Sequence, residues 1–571
     1  MIIGILMSLL TLALPIAVIV LVVRHAGSGS GSRSGGGDSR SVRRFFQYVL
    51  LYGLMVVAVV GVSDLLARLG GPAAESASSD FARVLAFVLF GVPMAAALGW
   101  WTRRQLRRDP QERLSFGWAA YLTVASLTAL MATMVNAFQV VVAALWESDL
   151  DGASLARFGV WALVWGGHWV LGDRLLKESQ RQLHLAVGSL IGLMTTIGGL
   201  VWLVGTAGKA ALVAGGGVPV GPTELSEAAA TLAVGFPVWW VYWRLRFSAA
   251  PRRGLWLSYV LPIGVGGSLV LAVINATTAL HAVLVWFLGD QPASAAALHF
   301  ADTPYALAAV AVGAVSWWYH RWVFARGAPA GRTEVTRVHE YLLAGIALVA
   351  AASGVAVALV AMIRAMTPGV RVLGAASVTD SLLLAATLLV VGGLLWWVFW
   401  RRVQRAATAS PAAELTSRSR RTYLFLLFGV GGVLAVIAIL AAAFVGIQDA
   451  LNGQLGDRTL SAMRVPLALL VTSGAVSGFH WLVYRRDRAV APVEAAKGLR
   501  EVLLVGPADD DLAEAVHRAT GARVELWARS GGAWVTDEVL AALAATPGEV
   551  LAVIAGPAGL DTFAVEERRR F

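Results

Sequence analysis

The chain has 571 residues, of which 58% are hydrophobic and 14% charged, with a formal net charge of +11 and no cysteine. An ordinary soluble protein carries about 25% charged residues, so this composition excludes a soluble chain of this size and indicates one that faces lipid. The lack of cysteine excludes disulfides, thiolate metal sites and cysteine nucleophiles.

The first apolar run lies near 2–23 and is followed by Arg24. It has no basic residue before it and is long for a signal peptide, so we predict a retained N-terminal transmembrane anchor over 1–24. Cleavage near Ala26 is the alternative. A linker over 25–42 follows, and its Gly- and Ser-rich composition is typical of a flexible tether.

Twelve more apolar runs follow, each as long as the roughly 17–25 helical residues that cross a bilayer. They lie near 44–66, 82–101, 114–146, 155–172, 183–205, 226–244, 255–288, 303–324, 339–363, 379–400, 422–447 and 462–484. We therefore predict an all-α polytopic transmembrane bundle of about 13 helices, with a repeated helix-pair domain over 43–488.

Loops rich in arginine alternate with loops that are richer in acidic residues. The first kind includes 103–113, 244–253 and 401–421, and the second includes 147–151 and 290–302. The positive-inside rule places the arginine-rich loops in the cytoplasm, the N-terminus outside and the C-terminus inside. Because the basic residues lie in short loops between spans, we expect membrane lipids as partners and no binding of nucleic acid.

An aromatic signature recurs near the end of every second run from the third onward, and it points to six tandem helix hairpins. Its second tryptophan returns at intervals of 68 to 84 residues, and an arginine follows within a few positions. The tryptophans are Trp100, Trp101, Trp169, Trp239, Trp240, Trp317, Trp318, Trp396, Trp397 and Trp481. The arginines are Arg104, Arg174, Arg244, Arg321, Arg401 and Arg485.

Tryptophan favours the membrane interface, and an arginine just beyond it reaches the phosphates, so we interpret these residues as interfacial anchors. An aromatic cage for a cofactor is the alternative. His168 and His480 replace the first tryptophan in two of the signatures, which makes them weak candidates for cofactor ligands. We favour interfacial packing for both and predict no cofactor and no metal.

Polar residues within the spans are the remaining candidates for function. They are Asp64, Asn136, Gln139, Asn275, His281, Arg364, Gln448 and Asp449. Counted from the basic start of each span, they lie about 30–40 Å along the helix and hence near the outer interface. Solvation at that interface explains most of them, and an outer polar vestibule is the alternative. Pro93, Pro237, Pro262 and Pro466 predict kinks.

The segment 489–571 carries thirteen acidic and eight basic residues and is predicted to be a soluble α/β tail domain. Buried strands are expected at 502–506 and 550–555, an alternating strand at 523–528 and an edge strand at 562–565. Helices over 509–519 and 536–545 complete a β-α-β-α-β order, capped by Asp509 and Thr536. Without a glycine fingerprint or P-loop lysine, partner docking or regulation is favoured over nucleotide binding.

No catalytic motif occurs in the sequence, so we predict that the protein is not an enzyme. The leading hypothesis is a scaffold or accessory subunit of a membrane assembly. A transporter or channel for a small solute is the alternative, and a membrane sensor with a regulatory tail is the second.

The repeated hairpin, with its basic start and aromatic-Arg exit, resembles a family of multi-pass bacterial membrane proteins that carry tandem copies of a domain of unknown function. The resemblance covers about 43–487 and is best at Arg43-Arg44-Phe45-Phe46-Gln47-Tyr48 and Arg421-Thr422-Tyr423. It implies a helical bundle in the bacterial plasma membrane and supplies no activity. The first span and the acidic tail lie outside it.

Overall fold

The apolar runs from residue 44 onward form helices in the computed structural model, because a helix satisfies its backbone polar groups within its own segment. The structure describes residues 37–70, 78–145, 152–213, 221–252, 254–290, 295–326, 332–367, 377–415, 417–490, 499–529, 531–556 and 559–565. The predicted anchor over 1–24 and most of the predicted linker lie outside these residues.

Seventeen α-helices precede the tail domain in the described part of the chain. They are α1 Gly37–Gly70, α2 Ser78–Ala86, α3 Val92–Arg108, α4 Pro110–Arg113, α5 Phe116–Leu145, α6 Gly152–Leu175, α7 Glu178–Val213, α8 Pro222–Trp239, α9 Gly254–Tyr259, α10 Ser268–Leu288, α11 Ala296–His299, α12 Thr303–Ala325, α13 Glu334–Met366, α14 Val378–Ala409, α15 Pro411–Leu415, α16 Arg418–Leu451 and α17 Asp457–Val490.

Nine helical segments of the described residues are long and apolar enough to cross a membrane. They are Phe46–Gly70, Ser79–Arg108, Phe116–Leu145, Glu178–Leu212, Gly254–Leu288, Glu334–Met366, Val378–Ala409, Arg418–Leu451 and Asp457–Ala489. The runs predicted at 155–172, 226–244 and 303–324 are also helical but are not among the nine. A multi-pass helical protein is thus supported, whereas the count of thirteen stays a prediction.

Three of the described helical passages contain a π-helical segment, and each segment contains a proline or has one within three residues of it. Phe87–Gly91 precedes Pro93, Trp240–Arg244 follows Pro237, and Val260–Gly267 contains Pro262. Proline lacks an N–H donor and crowds the carbonyl four residues before it, which favours such local changes in the hydrogen-bond ladder. Pro466 lies within α17.

The described residues divide into two compact units, those within 1–403 and 431–476, and those within 404–430 and 477–571. Within the first unit, α1–α6 form one four-passage bundle and α7–α12 a second, which we call the first and second bundles. Within the second unit, the guanidinium of Arg420 is almost fully buried and donates to both carboxylate oxygens of Asp487, at 2.6 and 3.0 Å.

The tail domain is a four-stranded sheet of order β2-β1-β3-β4. The strands are β1 Glu501–Gly506, β2 Arg523–Ala528, β3 Val550–Gly556 and β4 Gly559–Ala564, with helices α18 Asp510–Thr520 and α19 Thr536–Ala545. β1 lies parallel to β2 and β3, and β4 is antiparallel to β3. The predicted α/β order is therefore present.

The two helices of the tail begin differently at their N-termini. The carboxylate of Asp509 accepts a hydrogen bond from the Leu512 N–H at 2.9 Å, as predicted for a cap. Thr536 is instead the first residue of α19, and Val535 precedes it without a capping side-chain bond. The predicted cap at Thr536 is therefore wrong, because the helix begins one residue too early for it.

Candidate functional site

The tryptophan signatures place one ring inside the protein and one outside it in most repeats. The second positions Trp240, Trp318, Trp397 and Trp481 are exposed. In these four repeats the first positions are more buried, whereas Trp100 is more exposed than Trp101. In the described structure the indole N–H groups of Trp239 and Trp317 are buried without a hydrogen-bond partner. An interfacial tryptophan keeps its N–H near water, so the outward rings fit the anchoring role better than these two inward rings.

Four of the signature arginines lie over a signature tryptophan one helical turn earlier. The distances from guanidinium carbon to ring centroid are 5.5 Å for Arg104 on Trp100, 5.8 Å for Arg244 on Trp240, 5.2 Å for Arg321 on Trp317 and 4.4 Å for Arg401 on Trp397. Residues four apart share a helix face, which explains the spacing. The membrane anchoring itself stays a prediction, as it does for Arg174 and Arg485.

The residues predicted for an outer vestibule are not brought together. Asp64 pairs with Arg157 at 3.3 Å, and the amides of Asn136 and Asn275 donate to carbonyls of their own helices. Asp449 accepts a hydrogen bond from Thr459 at 2.6 Å. Across the described ranges, no hydrogen bond or ion pair joins any two of the predicted set, which also includes Gln139, His281, Arg364 and Gln448. A common vestibule therefore gains no support from contacts.

His168 uses both ring nitrogens within the protein. Its Nδ1 lies 2.8 Å from the Val164 carbonyl oxygen, and its Nε2 lies 3.2 Å from the Tyr121 hydroxyl. His480 is fully buried, with its ring 5.8 Å from that of Tyr423. These contacts fit packing better than cofactor ligation. Among the described residues, no group of three His, Asp or Glu side chains could hold a metal ion.

A buried polar network joins the first and second bundles. His184 Nε2 lies 3.1 Å from both the Ser126 and the Tyr242 hydroxyl oxygens, and Trp165 Nε1 donates to the Tyr242 oxygen at 3.0 Å. The four residues come from α6, α5, α7 and the π-segment Trp240–Arg244. Sequence reasoning missed this network, because a lone histidine near the start of a span carries no partner information.

Replacing Tyr242 with phenylalanine should destabilise the protein by about 1–2 kcal/mol, because the Trp165 N–H loses its acceptor in a site that excludes water. The measurement is the melting temperature in mild detergent. Tyr484→Phe is the matched control, since that hydroxyl makes no hydrogen bond within the part of the chain that is described. Equal melting of the two variants would contradict the role of the network.

The first bundle contains a cavity of about 880 Å³, which we call the groove. Its walls come mainly from α1, α3, α5 and α6, and the apolar residues that line it include Leu51, Met55, Ala95, Gly99 and Val160. The lining on α3 extends from Val92 to Arg107, which spans about 22 Å at 1.5 Å per residue. The groove is therefore long and apolar, and its volume is within the roughly 300–1,000 Å³ typical of ligand sites.

One end of the groove is basic. This end lies at the C-terminal ends of α3 and α6 and just before the start of α5. It is lined by Arg103, Arg107, Arg113 and Arg174. Arg113 donates to the Leu106 carbonyl oxygen at 2.8 Å, whereas Arg103, Arg107 and Arg174 make no ion pair with any described residue. The arrangement combines an apolar channel with unneutralised positive charge at one end.

A buried carboxylate fixes the chain beside this basic end. Glu112 is 1% exposed and accepts hydrogen bonds from Arg43 at 3.3 Å, Arg44 at 3.0 Å and Tyr48 at 3.0 Å. Gln47 adds a hydrogen bond to Thr102 at 3.0 Å. These contacts tie α1 to α3 and α4. From the sequence, the loop at 103–113 is described only by its arginines, and residues 43–48 are noted only as a motif of the resemblance.

The groove exists because α1 and α3 approach closely at one end and are bridged by long polar side chains at the other. At the far end, a Cβ on Gly61 would lie 2.7 Å from Phe87 Cβ, and one on Gly91 would lie 2.9 Å from Val57. Nearer the basic end the side chains are Leu51, Met55 and Gly99, and a Cβ on Gly99 would meet no atom within 4 Å. Close contact is therefore local, and space remains between the two ends.

The strand-to-helix turn of the tail domain is covered by an indole. Trp534 Nε1 donates to the Pro507 carbonyl oxygen at 2.8 Å, and a Cβ on Gly506 would clash with the Trp534 ring. The turn at 506–509, at which phosphate binding was the less favoured alternative, thus packs against the protein's own side chain. The groove is the stronger candidate site.

The domain of unknown function DUF5671 matches the chain in three tandem copies, over residues 44–167, 182–315 and 337–475. Each copy covers four helical passages, or two of the predicted hairpins, so the six hairpins correspond to the three copies. Searches of curated proteins and of solved structures give no match. The predicted resemblance to a family with tandem copies of a domain of unknown function is confirmed, and the chain belongs to the DUF5671 family.

Proposed function

We propose that this protein is a non-enzymatic membrane scaffold that holds a membrane lipid in the groove of its first DUF5671 copy. The observation that carries the proposal is the groove itself, an apolar cavity of about 880 Å³ within a helical bundle. An apolar channel of this length fits an acyl chain, and it offers little to a small polar solute. The outer polar residues were one of the supports for the transporter alternative, beside size and repeat symmetry, and no hydrogen bond or ion pair joins any two of them within the described residues.

The proposed setting is a bacterial plasma membrane, with the arginine-rich helix ends and the tail domain on the cytoplasmic side. The acidic tail is then free to dock a protein partner of the assembly. Nine membrane-length helices in the described residues and the alternation of basic and acidic loops support this arrangement. A labelling reagent that reached Arg103–Arg113 from outside intact cells would contradict it.

Filling the groove tests the lipid role. Gly99 lines the groove and has open space where a side chain would begin, so Gly99→Leu should occupy it without moving the backbone. We expect the wild-type protein purified in mild detergent to retain a bound lipid in native mass spectrometry, and the variant to lose most of it.

Gly53→Leu is the matched control for this experiment. Gly53 is an exposed helical glycine of α1, a Cβ there would meet no atom within 4 Å, and it does not line the groove. The control should retain lipid as the wild type does. Lipid retention that is equal in Gly99→Leu and the wild type, as expected if a partner helix fills the groove, would overturn the proposal.

A further inference from the structure

Apolar contact alone cannot select one lipid from a bilayer, because the lipid tails outside the groove are as apolar as its walls. Any preference must come from packing or from the polar end of the site. Arg103, Arg107 and Arg174 line that end and are exposed, so they can reach a headgroup while an acyl chain lies along the groove.

The acidic groups near these arginines are already engaged. Glu112 accepts hydrogen bonds from Arg43, Arg44 and Tyr48. Asp173, next to Arg174 in the chain, pairs with Arg181 and Arg246, each at 3.0 Å. Asp109 accepts a hydrogen bond from the Gln111 N–H at 2.9 Å. Glu112 and Asp173 are thus paired with other arginines, and no described carboxylate forms an ion pair with Arg103, Arg107 or Arg174.

Three guanidinium groups around one opening repel one another, and an anion between them relieves that repulsion. Arginine presents paired N–H donors that match the oxygens of a phosphate, and the contact is stronger beside an apolar wall than in bulk water. We propose that the groove selects an anionic glycerophospholipid, whose phosphate is bound by Arg103, Arg107 and Arg174 and whose acyl chain lies along α3. This inference rests on the proposed function and specifies its ligand.

The test uses full-length protein in nanodiscs of phosphatidylglycerol and phosphatidylethanolamine in equal amounts, followed by native mass spectrometry of the retained lipid. We expect the wild type to retain mainly phosphatidylglycerol. The triple variant Arg103→Gln, Arg107→Gln and Arg174→Gln should lose that preference, by roughly fivefold for each arginine. The corresponding triple lysine variant, which keeps the charge, should restore a large part of it.

The matched control removes two positive charges from the same region without touching the groove, through Arg108→Gln and Lys177→Gln, and is compared with the double variant Arg103→Gln and Arg107→Gln. Arg108 and Lys177 are exposed and do not line the groove, so in the control the preference should stay near the wild-type value. An equal loss in the control would show that general surface charge attracts the lipid and would overturn the inference. Retained lipid without a headgroup preference in the wild type would also overturn it while leaving the proposed function intact, whereas no retained lipid would refute the proposed function.

Discussion

Glu112→Ala should destabilise the protein by about 2–4 kcal/mol, because it leaves Arg43, Arg44 and the Tyr48 hydroxyl without their shared acceptor. Removing one partner of a wholly buried ion pair costs about 3–5 kcal/mol. Arg43 and Arg44 are 39% and 25% exposed, so water recovers part of that cost and the estimate is set lower. The measurement is the shift of the melting temperature in mild detergent, followed by tryptophan fluorescence.

The control for this prediction is Glu178→Ala. Glu178 also pairs with an arginine, Arg181, but it is 53% exposed, so its loss should cost less than about 1 kcal/mol. Glu112→Gln keeps the shape and one acceptor oxygen and should fall between the two. A melting temperature for Glu112→Ala within error of that for Glu178→Ala would show that the buried carboxylate does not hold α1 against α3 and α4.

The positions of the helices could be predicted because each passage carries its own signal. A helix can be predicted from a run of apolar residues flanked by arginine without any knowledge of the tertiary structure. The same holds for the strands at 502–506 and 550–555 of the tail. The sixfold aromatic signature is likewise visible in the sequence alone. Its six hairpins correspond in pairs to the three family copies. Local patterns thus sufficed for the position and order of most described elements.

The groove could not be predicted, because it depends on how two helices approach each other in space. Leu51 and Met55 on α1 are apolar residues of a span, as are Gly188 and Gly192 on α7. In the second bundle the glycines let α8 approach closely, whereas in the first bundle the larger side chains line open space. A glycine-rich stretch such as 188–199 is visible in the sequence as a place where helices can pack closely, whereas open space between two helices leaves no comparable local signal.

The burial of Glu112 could not be predicted from the sequence either. An acidic residue in an arginine-rich loop is normally solvated, and only the folded position of Tyr48 and Arg44 turns it into a shared acceptor. The predicted outer polar residues show the same limit. Their distance along each helix could be counted, but whether Asn136 would face a neighbour or its own backbone could not.

The second large effect is expected at the contact between α7 and α8. A Cβ on Gly192 would lie 2.6 Å from the Trp239 Cα, and one on Gly199 would lie 2.6 Å from the Leu232 nitrogen. Both obstacles are backbone atoms, which cannot rotate away as a side chain can. In lipid the two helices are held mainly by close packing and hydrogen bonds, so their separation is set by these glycines.

Gly192→Leu should therefore force α7 and α8 apart and destabilise the protein by about 3 kcal/mol, at the upper end of ordinary overpacking. Dispersion contacts along the interface fall off steeply with separation, which adds to the local clash. The shift should also lengthen the hydrogen bond between His184 and Tyr242, now 3.1 Å, since the two residues lie on the two separated segments. Thermal unfolding in mild detergent measures the loss.

Gly198→Leu is the control for this contact. Gly198 lies on the same helix, is exposed, and would place its Cβ with no atom within 4 Å. Because glycine is a poor helix former, this substitution should be neutral or stabilise the protein by up to about 1 kcal/mol. Changes of opposite sign in the stability of the Gly192→Leu and Gly198→Leu variants would mean that the close approach of α8, and not helix propensity, accounts for the glycine at 192. Equal melting temperatures for the two variants would mean that α8 tolerates displacement from α7.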